Sequence, residues 1–165
     1  MFCTITTFFL TYQNSLDSQT VIENSKVIVQ NLSQNTNDET IYLWQIEIPK
    51  INCIANISEG TDEKTLDKYV GHFEESKRRN GNIALAAHNR GYAVNYFSRI
   101  KELNLGDEIL YSYNEFSKSY IVISKEIIKS TDFSKIKNTK KNHITLITCV
   151  ENEPEFRRCI IAEEI

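Results

Sequence analysis

The stretch His143–Ile165, HITLITCVENEPEFRRCIIAEEI, decides how the rest of the chain is read. Two apolar runs, His143–Val150 and Arg157–Ile165, flank a polar connection holding Pro154, which predicts an antiparallel pair of strands. Pairing them brings Cys149, near the end of the first run, and the Arg157–Arg158 pair, opening the second, to one rim of a sheet. A thiol beside a permanent cation suits a cysteine nucleophile. The cation favours the thiolate, and its N–H donors can hold the charge that develops on an attacked carbonyl. Such a thiol also needs a proton-transfer partner. His88, ending the apolar run in GNIALAAHNRG, is the candidate, since these groups are recognised by geometry and not by order in the chain.

The bulk properties frame that reading. With 165 residues, 41% of them hydrophobic and 25% charged, the chain has the size and composition of one folded domain. A formal net charge of -3 gives no electrostatic footprint for nucleic acid. Four cysteines, Cys3, Cys53, Cys149 and Cys159, are too few and too irregularly spaced for a disulfide framework. Without a CxxC they support no zinc site, and no cofactor is expected.

Residues 1–12, MFCTITTFFLTY, are apolar but shorter than the roughly 20 residues of a membrane span. They read either as a frayed terminus or as the outer end of an anchor. The second reading predicts further apolar residues and at least one Lys or Arg upstream of Met1. Residues 13–40 turn to Asn, Gln, Ser and Thr and predict a marginal helix followed by a polar linker. The folded domain is expected over 41–165. Trp44, Ile46 and Ile48 alternate with polar residues as in a half-buried strand, and Ile51–Ile57 is a second strand. Thr61 is the expected N-cap of a short helix with Leu66, Tyr69 and Val70 on one face, ended by Gly71. EESKRRN, residues 74–80, is expected to be a solvated loop before a buried strand at Ile83–Ala87. Phe97, Ile100 and Leu103 stripe a further short helix. Glu108–Tyr113 and Ser119–Ser124 predict a hairpin, and Lys125–Asn142 a long lysine-rich connection. Many short strands with two or three small helices give an all-β fold, a closed or nearly closed β-barrel.

These residues resemble a family. AAHNRG, a helix ending in LNLGDEI, TLITC and then RRCIIA are similar to the pattern of the sortases, cysteine transpeptidases of Gram-positive cell surfaces. IPKI and the later EGT match it too, so that the resemblance covers about Ile41 to Ile165. It implies a closed eight-stranded barrel and a site of His88, Cys149 and an arginine. In that family the arginine precedes four strand residues and then a small one. Arg157 reaches Ala162 at that interval, with Arg158 as the alternative; alternation sends the two to opposite faces. The resemblance further implies cleavage of an LPXTG-like sorting signal between Thr and Gly through a thioacyl intermediate on Cys149. An amine of a peptidoglycan precursor or a pilin lysine then resolves it. Location at the outer face of the plasma membrane follows, and the class is D or B-like, with short connections favouring D. Some sortases bind calcium through acidic loop residues. EESKRRN carries more positive than negative charge, and no calcium requirement is expected.

Other readings stand beside these. Cys3, Cys53 and Cys159 are expected to be packing residues, although Cys159 lies two residues after Arg157 on the same strand face. His72 competes as the base but reads as a surface or loop histidine, and His143 as solvated. An L,D-type transpeptidase is a rival enzyme. It would carry His and Gly just before the cysteine, where this chain has Ile147-Thr148. A catalytically inert barrel that only binds peptides is the rival from outside enzymes.

Overall fold

A computed structural model describes residues 44–165 of the chain; the anchor and linker expectations for 1–40 lie outside the described residues. Eight strands close into a barrel in the order β1-β2-β3-β4-β7-β8-β6-β5, with β5 pairing back onto β1. They are β1 (Trp44–Ile48), β2 (Cys53–Glu59), β3 (Val70–His72), β4 (Asn82–Ala86), β5 (Glu108–Tyr113), β6 (Phe116–Lys129), β7 (His143–Val150) and β8 (Glu153–Glu164). The β2–β3 and β4–β7 pairs are parallel and the others antiparallel. A parallel neighbour needs a long crossover, and the β4–β7 pair is bridged by everything from residue 87 to 142.

Alternation fills the barrel. Ile46, Ile83, Leu85, Ile109, Leu146 and Ile160 all point inward and are fully buried. Phe97, Ile100 and Leu103 are buried in the same cluster, as their stripe predicts. The expected helix there shrinks to a 3-10 turn at Ile100–Glu102. The outward residues of β4, and Thr145 and Ile147 of β7, are buried as well. Ala84 and Ile147 pack with Ile128, Ile136 and Cys159 under the β6–β7 connection. This second layer explains why β4 is buried at every position and reads as a continuous apolar run.

Several boundaries differ from the sequence expectation. The helix is α1 (Glu63–Leu66), capped by Asp62 and not Thr61; the Asp62 carboxylate accepts from the Thr65 N–H at 3.2 Å. Gly71 does not end it. That residue sits inside β3, where a Cβ would collide with the Gly60 carbonyl and lie 2.7 Å from Leu66 Cδ2. Close approach is what requires glycine there. The second strand starts at Cys53, because Pro49–Ile51 forms a 3-10 turn. The hairpin partner expected at Ser119–Ser124 is a 14-residue strand, β6. The β6–β7 connection therefore begins at Ser130 and not at Lys125. What sustains β6 is β8, which pairs with it as far as Lys129 opposite Phe156. The β8 strand in turn starts at Glu153, after a turn in which Asn152 takes a positive φ of 61°.

His72 also departs from expectation, for it is 1% exposed on β3. Its Nδ1 lies 2.8 Å from the Glu59 carboxylate, and its Nε2 lies 2.8 Å from Ser76 Oγ and 3.1 Å from the Lys77 carbonyl. The segment 74–80 is thus not wholly solvated: Ser76 is buried and accepts from the Ala84 N–H. His143 is half-buried, 3.2 Å from Glu163.

Candidate active site

Three hydrogen bonds stitch the exit of β4 to the end of β7. The Thr148 hydroxyl donates to the Ala87 carbonyl (2.7 Å), the Ala87 N–H to the Ile147 carbonyl (3.3 Å) and the Asn89 amide to the Cys149 carbonyl (2.9 Å). These bonds bracket His88 and Cys149, and both residues line the same open cavity. Cys149 is exposed there. Its register partner on β8 is Arg157, while Thr148 pairs with Arg158. The next pair is Val150–Glu153, so residues 154–156 bulge out of the ladder. The guanidinium of Arg157 turns into this bulge and donates from one Nη to the carbonyls of Pro154 and Phe156, each at 2.8 Å.

His88, Cys149 and Arg157 line one open cavity of about 590 Å³. Its apolar wall includes Leu66, Phe73, Ile128, Phe133, Ile136 and Ile147. Arg158 faces elsewhere, lining a cleft of about 70 Å³ with Phe97, Ser98 and Lys101. The structure therefore brings together the three residues singled out from the sequence and separates the alternative arginine from them.

The imidazole of His88 is held from two sides. Tyr92 stacks flat on it, with centroids 3.5 Å apart and planes 3° apart. Asp67 Oδ1 lies 3.6 Å from Nε2, which is buried without a hydrogen-bond partner. Asn89, Tyr92 and Asp67 escaped sequence reasoning. Asn89 follows the candidate base directly and Tyr92 comes four residues after it, a faint signal; Asp67 is 21 residues upstream and carried none.

Among the described residues the other two cysteines, Cys53 and Cys159, are buried, whereas Cys149 is exposed. Burial pushes the Cys53 thiol up to about 11 and, as the largest effect, the Cys159 thiol up to about 12. Cys159 is wholly buried in the outer cluster, so its shared strand face with Arg157 does not bring it to the cavity. Among the described residues no group of three His, Cys, Asp or Glu side chains is placed to hold a metal ion.

A thiol, an imidazole and a guanidinium thus line one open cavity of a closed eight-stranded barrel. A sortase-domain family model matches residues 46–164, and the chain belongs to the sortase family. It is 38% identical to sortase D of Bacillus subtilis over 109 residues, which cover 63% of this chain and 52% of that one. It is 27% identical to sortase A of Bacillus anthracis over 148 residues, 87% of this chain and 70% of that one. Among solved structures, sortase C1 from Streptococcus agalactiae superimposes with a TM-score of 0.70 at 26% identity, covering 79% of this chain and 70% of that one. The chain thus spans about half the length of the Bacillus subtilis relative.

Proposed function

We propose that the chain is a cysteine transpeptidase that cleaves an LPXTG-like sorting signal and transfers the freed acyl group to an amine. The observation that carries this reading is the meeting of His88, Cys149 and Arg157 on one open cavity. In the first half-reaction the Cys149 thiolate adds to the Thr–Gly carbonyl, and Arg157 donates to the oxyanion or to the neighbouring substrate backbone. The C–N bond then breaks, His88 gives its proton to the departing glycine amine, and a thioester remains on Cys149. In the second half an amine attacks the thioester, His88 takes its proton, and the thiolate leaves. A peptidoglycan precursor or a pilin lysine would supply that amine. The apolar wall of the cavity suits the apolar residues of the signal, and the exposed sulfur lets an extended peptide reach it.

Class D is the preferred assignment, supported by the identity with sortase D of Bacillus subtilis. The proposal places the domain outside the plasma membrane of a Gram-positive bacterium, with residues 1–12 in the anchor and 13–40 as the linker. Among the described residues no helix is long and apolar enough to cross a membrane. No calcium is assigned a role; in the segment 74–80, Arg78 pairs with Glu59.

The test is a panel of sorting-signal peptides incubated with the chain and with its Cys149→Ala variant. At least one peptide should be cut between Thr and Gly by the first and not by the second. Cleavage that persists in the variant would refute the reading.

A further inference from the structure

We infer that Asp67 is a positioning residue for His88, the carboxylate that sets its ring orientation and tautomer. The inference rests on the site reading just proposed, and it adds a group from a different part of the chain. The first observation is the unmatched nitrogen. His88 Nε2 is sealed from solvent and has no hydrogen-bond partner, and the polar atom it faces is Asp67 Oδ1 at 3.6 Å. A buried ring nitrogen without a partner is uncommon in folded proteins and calls for a physical reason. Closing the gap by less than about 1 Å makes an N–H···O bond, and such contacts are often long before substrate binds.

The second observation is that the fold goes to some length to put Asp67 there. Asp67 closes α1, its N–H bonded to the Glu63 carbonyl at 2.9 Å. The α1 turn can lie directly on β3 because Gly71 offers no Cβ to Leu66 or to the Gly60 carbonyl. Lys68, the next residue, accepts from the Tyr96 hydroxyl at 3.3 Å, which ties the turn to the same β4–β5 connection that carries His88 and Tyr92. That connection is fixed again where the Phe97 N–H donates to the His88 carbonyl at 3.2 Å. Tyr92 stacks on the flat face of the imidazole and prevents it from tilting. With Asp67 at its edge and Tyr92 on its face, the ring keeps one orientation.

The chemistry follows from that orientation. A carboxylate facing Nε2 selects the tautomer with the proton on Nε2, as the carboxylate does in a Ser-His-Asp triad. Nδ1 is then the atom that delivers a proton to the departing amine and later takes one from the incoming amine. Asp67 touches neither the substrate nor the sulfur. Its side chain is half-exposed, so what it contributes is geometry more than charge.

The test uses the full chain and two measurements. The chain has only three histidines, His72, His88 and His143, so their side-chain 15N signals are assignable. Long-range 1H–15N spectra of neutral His88 should show the proton on Nε2. A proton on Nδ1 would overturn the inference, whether or not any variant folds. In peptide-cleavage kinetics Asp67→Asn should lower kcat by about tenfold with KM changed by less than about twofold, and Asp67→Glu should recover part of the loss. His88→Ala is run in parallel. If His88→Ala is inactive while Asp67→Asn turns over like the unmodified chain, Asp67 has no such role and the site reading stands. If His88→Ala retains full activity, the site reading itself fails and this inference with it.

Discussion

His72 and His88 lie on or beside neighbouring strands of one barrel, yet their surroundings have opposite logic. His72 is buried with both ring nitrogens within hydrogen-bond distance of partners, its ring tilted against Trp44 at 5.1 Å between centroids. The Glu59 carboxylate that receives it also receives Arg78, and the Trp44 N–H reaches the Tyr111 hydroxyl at 2.7 Å beside them. Every polar group there is spent on another protein group. His88 has a stacked tyrosine, a carboxylate just out of reach and an open cavity in front. A satisfied histidine braces the barrel, whereas His88 lines an open cavity that a substrate can enter.

Substitution should break this pair in opposite directions. The largest effect is expected for His88→Ala, which should lower turnover of a cleavable peptide by a factor of about 10² to 10⁴ while leaving the unfolding midpoint nearly unchanged. His72→Ala should do the reverse. Loss of the buried ring leaves Glu59 and Ser76 short of a partner and should cost about 2–4 kcal/mol in urea unfolding, with activity per folded molecule preserved. Equal loss of activity from both variants, at full stability, would mean that the contrast has no functional content.

The two arginines sharpen the comparison next. Arg157→Lys keeps a charge but loses the planar guanidinium, whose one Nη is fixed on the bulge carbonyls while its other N–H groups remain to donate, and should be poorly active. Arg158→Lys, on the other face, should stay within about twofold of the unmodified chain, since Arg158 lines a separate cleft away from Cys149 and His88. Steady-state kinetics on one peptide decides between them, and a dead Arg158 variant would remove Arg157 from the site.

The smallest expected effect is on pH dependence. Partial burial raises the Glu59 carboxyl, but hydrogen bonds from His72 and Arg78 outweigh it and hold the group below the ordinary glutamate value. A carboxyl depressed on folding stabilises above its unfolded pKa and loses that contribution as pH falls through the folded one. In a series of unfolding curves this contribution should therefore be lost progressively as pH falls from the ordinary glutamate range through the lower folded value. In His72→Ala, which removes one of the two groups that depress Glu59, the decline over that window should be smaller. Superimposable declines would show that the His72–Glu59 contact contributes nothing to acid stability.

How much of this was legible in the sequence differs by region for physical reasons. The β7–β8 hairpin and its thiol were readable because apolar runs and turn residues there agree with the final pairing. The barrel's closure followed from the number of short strands. Residues 125–129 of β6 were missed because KEIIK carries charge at positions that a half-exposed strand can solvate, and only pairing with β8 keeps them extended. His72 was misplaced because its burial depends on Glu59, Ser76 and the Lys77 carbonyl converging from other segments. Asp67 and the bulge at 154–156 were invisible for the same reason: each is defined by what lies across from it, not by its neighbours in the chain.

The most direct measurement is the site of acylation. The full chain is incubated with a cleavable sorting-signal peptide without an acceptor amine, quenched in acid, digested and mapped by mass spectrometry. The acyl fragment, ending at the threonine, should be found on Cys149 and should disappear when an amine is added. Acyl label on Cys53 or Cys159, or cleavage with no label on any cysteine, would contradict the account.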